Sequence, residues 1–163
     1  MTLEADLARI ADQEKALAFE RFDLSTAWQL GALLREVAHR DSLGVAIDVQ
    51  LHSMPAFYAA MPGSSADNAG WVQRKRGLVL RFFQSSYAIG RKLALQQSTL
   101  EEKFGLSSKD YAAHGGSFPI VVTGVGCIGA VTVSGLPQRD DHEMVVRALC
   151  TLQGRDYEEL ALR

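Results

Sequence analysis

Apolar residues recur at helical spacing through Leu3, Leu7, Ile10, Ala11 and Leu17, which predicts an amphipathic helix over about 3–20. Asp23 or Ser25 can cap a second helix, whose Leu30, Leu33, Leu34, Val37 and Ala38 form one stripe that ends near Asp41. The period then changes. Leu43, Val45, Ile47 and Val49 alternate with Gly44, Ala46, Asp48 and Gln50, and after a polar turn at His52 and Ser53 the segment 56–61 reads as the hairpin partner. A loop at 62–65 leads into a helix over about 67–85, a second helical stretch to about 97 and a short one at 99–104. Strand patterns return at 118–123 and 127–135, joined by a tight TGVG turn. The second of these is small or apolar on both faces, as a central strand covered on both sides would be. A last helix carries Met144, Val145, Ala148, Leu149 and Leu152 on one stripe, with a short helical tail at 156–162. The order of elements indicates an α+β domain with helices packed on an antiparallel sheet.

Three segments hold more glycine or polar residues than packing requires. In His114-Gly115-Gly116-Ser117 the adjacent glycines permit positive φ and close approach of another backbone or of a ligand, so this is either a ligand-lining loop or a plain strand connection. In 134–143, Ser134 and Gly135 end the strand and Asp140 is expected as N-cap of the last helix, with Glu143 at N3 and His142 in the first turn as a neutral imidazole. Asp140 and Asp141 then read as dipole-complementing carboxylates. The third segment starts at Asp67 and Asn68. Lys75 falls on the same helix face as Trp71, Leu78, Val79 and Phe82, so its stem packs with its ammonium either paired to a carboxylate such as Asp48 or facing an anionic ligand beside Trp71. Arg74 and Arg76 lie off that face and read as solvated.

Composition narrows the classes. The 163 residues are 47% hydrophobic and carry 17 basic against 19 acidic side chains. One domain over 1–163 is expected, with a core that needs no metal or disulfide staple. The near-balance of charge removes the footprint of a sequence-independent nucleic-acid binder. Apolar runs fall far short of the roughly 20 residues of a membrane span, and the amino terminus lacks the basic-then-apolar pattern of a signal peptide, so a cytoplasmic location without membrane partners is expected. The 2 cysteines, Cys127 and Cys150, have no CxxC or CxxCH spacing. Neither a metal site nor a GxSxG, P-loop, GxGxxG or HExxH motif is read.

The segments FD (22–23), PGSSADNAGWVQRKRG (62–77), HGGSFPI (114–120) and GAVTVSGLPQRDDH (129–142) together resemble the GlcG/HbpS-like, or haem-degrading-domain, proteins, in their uncharacterised single-domain branch. The resemblance implies a profilin-like fold, with a five-stranded antiparallel sheet flanked by helices, homo-oligomeric assembly, and haem or corrinoid-related chemistry in some relatives. It supplies no haem ligand position by position. The leading expectation is a homo-oligomeric binder of a small anionic ligand, haem or another tetrapyrrole being the first candidate. The expected site draws on Asn68, Trp71, Lys75, His114, Gly115, Gly116, Ser117, Ser134 and His142. Haem, if bound, is expected to be held reversibly, with His114 or His142 as axial ligand. An enzyme using either histidine in haem degradation or another small-molecule reaction, and a structural or partner-binding module, are the alternatives. The helix at 3–20 is the expected subunit interface.

Overall fold

The computed structural model describes residues 2–163. Helix α1 (Leu3–Ala16) is capped by the Thr2 hydroxyl, and α2 (Leu24–Arg40) opens with a reciprocal capping box between Asp23 and Thr26. A hairpin of β1 (Ala46–Leu51) and β2 (Met54–Ala60) follows. Next come α3 (Ala66–Phe82), α4 (Ser86–Leu95) and the one-turn α5 (Leu100–Phe104), then β3 (Ser117–Val122), β4 (Gly126–Ser134), α6 (Gln138–Gln153) and α7 (Tyr157–Leu160). The sheet is antiparallel in the order β2-β1-β4-β3, so β4 lies centrally, as its two-sided small and apolar pattern predicts.

Four strands form the sheet among the described residues, not the five that the resemblance implied. Beside β3, Phe19 donates its N–H to Val121 O at 2.8 Å and accepts from Thr123 N at 2.9 Å. This single bridge is parallel to the edge strand and does not propagate, because α1 ends at Ala16 and Asp23 already caps α2.

Alternation along the strands gives the sheet two unlike faces. Ile47, Val49, Phe118, Ile120, Val131 and Val133 join the main apolar core beneath α2 and α6. The other face, under α3, carries Asp48, Gln50, Ser117, Ala130, Thr132 and Ser134, all buried. This inside-facing polar surface positions the site, because each of its groups needs a hydrogen-bonding partner.

Two further expectations change. The α6 N-cap position is Pro137, not Asp140, which moves His142 into the second turn and onto the buried side. Helix α1 packs on α4 and α7 of its own chain through Ile10, Gln13 and Asp6. Its outward side exposes Glu4, Ala8, Ala11, Asp12 and Lys15 and is poor in large apolar groups.

Candidate functional site

Lys75 lies on the buried face of α3 with Val72, Leu78 and Val79, and is only 3% exposed. Its ammonium crosses to the end of β4, donating to Val133 O at 3.3 Å and to Asp141 Oδ2 at 2.9 Å. Asp141, 1% exposed, also accepts from Gly135 N at 3.3 Å and from Leu136 N at 3.0 Å. The partner of Lys75 is therefore Asp141. Asp48, the carboxylate offered from sequence, is taken by Arg76 at 2.9 Å, so Arg76 is not simply solvated. Burial pushes Lys75 below its usual range and Asp141 above the usual carboxylate range. Each opposes the other's shift, and the two backbone N–H groups further favour the carboxylate.

The glycine pair is shaped by this ion pair. Gly116 has φ +129°, and a Cβ there would collide with Val133 O and stand 2.8 Å from the Lys75 Nζ. A Cβ on Gly115 would collide with the Gln138 carbonyl, and Gly115 N donates to Gln138 Oε1 at 3.2 Å. The glycines thus let the 114–117 segment thread between α3 and the start of α6. Ser117 is fully buried in β3, where its Oγ bonds Thr132 Oγ1 at 2.8 Å and its N–H donates to Ser86 Oγ at 3.1 Å.

Two chambers open beside His114. A polar one of about 270 Å³ is lined by Asn68, Trp71, Lys75, His114 and Ser134, together with Asp67, Gly135, Leu136, Gln138 and Asp141. A larger one of about 540 Å³ is walled chiefly by Leu93, Leu100, Leu106, Tyr111 and Ala113, with Arg74 as its cation and Glu101 as its acid. Trp71 and His114 line both, their rings edge-on at 5.0 Å, and the Arg74 guanidinium lies 4.1 Å from the centre of the Trp71 ring. The His114 imidazole is held below the usual histidine range, first by partial burial and then by the Lys75 and Arg74 cations. It is neutral near pH 7, with a lone pair available.

His142 is elsewhere. Fully buried, its Nε2 bonds Gln13 Oε1 at 2.7 Å. Gln13 Nε2 donates to Glu143 Oε1 and Leu160 O, so Gln13 Oε1 must accept and His142 Nε2 carries the proton. Its Nδ1 has no partner among the described residues, and burial, aided by Arg139, pushes its pKa down to about 3. The structure therefore gathers Asn68, Trp71, Lys75, His114 and Ser134 around one chamber, puts Gly115 and Gly116 behind it, and leaves Ser117 and His142 in the interior. Sequence reasoning missed Asp141 and Gln138 in the lining and Arg74 beside Trp71. The buried ammonium did signal a carboxylate partner. No cluster of three or more His, Cys, Asp or Glu able to hold a metal ion occurs among the described residues, and no helix among them is long and apolar enough to cross a membrane.

The family model described as "haem degrading protein HbpS-like" matches residues 22–150, which include α2, the whole sheet and both chambers. The chain belongs to the HbpS-like family. Within it, a UPF0303 protein of Rhizobium leguminosarum bv. trifolii (strain WSM2304) is 63% identical over 162 residues, covering 99% of this chain and 98% of the relative. Among solved structures, the Ybr137w protein is 35% identical with a TM-score of 0.84, covering 91% of this chain and 87% of that one. The crystal structure of a PduOC:heme complex shares the HbpS-like fold at 16% identity and a TM-score of 0.62, covering 75% of this chain and 88% of its own.

Proposed function

We propose that this protein reversibly binds a planar, anionic small molecule in the larger chamber, haem or another tetrapyrrole being the first candidate. The observation that carries the reading is an apolar cavity of about 540 Å³ with a neutral histidine, His114, and a cation, Arg74, at its wall. That volume falls within the roughly 300–1,000 Å³ range of small-molecule pockets, and an apolar lining with a few placed polar groups is their usual composition. The donor set fits the group: an imidazole with a free lone pair could ligate iron, and a guanidinium could pair with a carboxylate. Bound haem would supply an iron centre, and the chain's own residues would hold it, orient it and keep water from its faces. The family description and the haem of the PduOC:heme complex support the same reading. Lys75 and His142 take no part in it, one being neutralised by Asp141 and the other enclosed.

Titration with haem is expected to shift the Soret band with a stoichiometric end point. His114→Ala should change the bound spectrum, while His142→Ala should leave it unaltered in whatever protein stays folded. A wild type that leaves the Soret band unmoved overturns the reading, and a His114→Ala spectrum identical to wild type removes His114 as ligand. Consumption of the bound haem with oxygen and a reductant would make the protein a degrading enzyme instead.

Self-association belongs to the same proposal, through the open edge of β2 and the adjoining surface of α2. Met54 and Tyr58 on the strand and Leu24 and Trp28 on the helix are exposed, Trp28 at 64%. Light scattering that finds only a 17.8 kDa species at micromolar concentration would overturn it.

A further inference from the structure

The polar chamber takes no part in the haem reading, yet its lining carries uncommitted hydrogen-bond donors. An ammonium carries three N–H donors, and Lys75 places two of them, on Val133 O and Asp141 Oδ2, leaving one beside the chamber it lines. Gln138 commits its carbonyl oxygen to Gly115 N, and Asn68 commits its own to Ser65 N, so each keeps its amide NH₂ for a guest. Ser134 adds a hydroxyl. Asn68 sits in the first turn of α3 and Gln138 in that of α6, so the positive ends of two long helices converge on the chamber. Against these stand two carboxylates. Asp141 already accepts from Lys75 and two backbone amides, and Asp67 is at the exposed rim, where water and salt screen it.

We propose that the polar chamber is a second binding site, distinct from the tetrapyrrole chamber, and that it takes a short-chain carboxylate about the size of propionate. Its roughly 270 Å³ holds the volume of about nine waters, enough for such an acid with some water retained and too little for a tetrapyrrole. A carboxylate offers several acceptor sites and no donor, which complements the uncommitted N–H and O–H groups of Lys75, Gln138, Asn68 and Ser134.

The test uses propionate and its neutral analogue propionamide, followed by saturation-transfer NMR on the full chain, beside the haem titration. Propionate is expected to bind the wild type and propionamide at least tenfold more weakly, since hydrogen bonds to a charged acceptor are the stronger ones. Leu136→Trp, which fills the polar chamber and keeps the Leu136 N–H on Asp141, should abolish propionate binding. Gln138→Leu should weaken it by about tenfold. Ala94→Trp, which fills the apolar chamber from an exposed position, should block haem and spare propionate. The proposal is overturned if propionate does not bind the wild type, if it binds Leu136→Trp equally well, or if propionamide binds as tightly. Loss of haem binding alone would sink the tetrapyrrole reading and leave this one standing.

Discussion

Replacing Lys75 with methionine keeps the packed stem and removes the charge, leaving the Asp141 carboxylate buried with only two backbone donors. A stranded buried carboxylate costs about 3–5 kcal/mol, so urea denaturation of Lys75→Met should show a loss of that size. The double variant Lys75→Met with Asp141→Leu should recover only part of it, because the Gly135 and Leu136 amides would still lack their acceptor. Gly116→Ala should destabilise by about 2–4 kcal/mol in the same assay, since φ +129° and the Val133 carbonyl both oppose a side chain. His142 gives a pH signature. Its folded pKa of about 3 lies below the ordinary histidine value of 6.5, so the folded state binds the proton less readily than the unfolded chain. Its contribution is complete above pH 6.5 and is lost at up to about 1.4 kcal/mol per unit as pH falls toward 3. His142→Phe should flatten that part of the stability profile, and an unchanged slope would show that the ring titrates normally. At this scale the sequence marked Lys75 as a buried ammonium needing a partner, but Asp48 and Asp141 are equally plausible carboxylates until β4 and α6 are placed in space.

Most elements were legible because each carries a single clean period. The stripe of α2, the alternation of β1 and the apolar face of α6 appear where the pattern predicts them. Boundaries moved where a local interaction outweighs the pattern. Strand β1 begins at Ala46 although alternation starts at Leu43, and α3 stops at Phe82 because Phe83 takes a left-handed conformation. The interface expected on α1 rested on its amphipathic stripe, and such a stripe shows that a face will be covered without showing by what. Here α4 and α7 pack on it, and Gln13 ties it to α6 through hydrogen bonds to His142 and Glu143. Hydrogen exchange should follow this arrangement. Amides of β4, bonded on both sides, are expected to be the most protected, and in the dilute monomer the outward amides of β2 the least protected of the strands. Equal protection of the two would mean that a neighbour covers the β2 edge, as the proposed self-association requires.

For the molecule as a whole, the hydrophobic pattern determined the α+β class and the central place of β4, because the 3.6- and 2-residue periods are local properties that a chain carries before it folds. Residue chemistry likewise determined that Lys75 had to be explained, whereas the 114–117 glycines only permitted a close neighbour. Tertiary structure decided the rest. The sheet has four strands among the described residues, Asp141 rather than Asp48 became the counterion, and Trp71 with His114 became the wall between two chambers. Each of these depends on groups far apart in sequence, with 66 positions separating Lys75 from Asp141 and 129 separating Gln13 from His142. Their meeting is set by how α1, α3 and α6 dock on a sheet with one apolar and one polar face, and no local spacing encodes that docking.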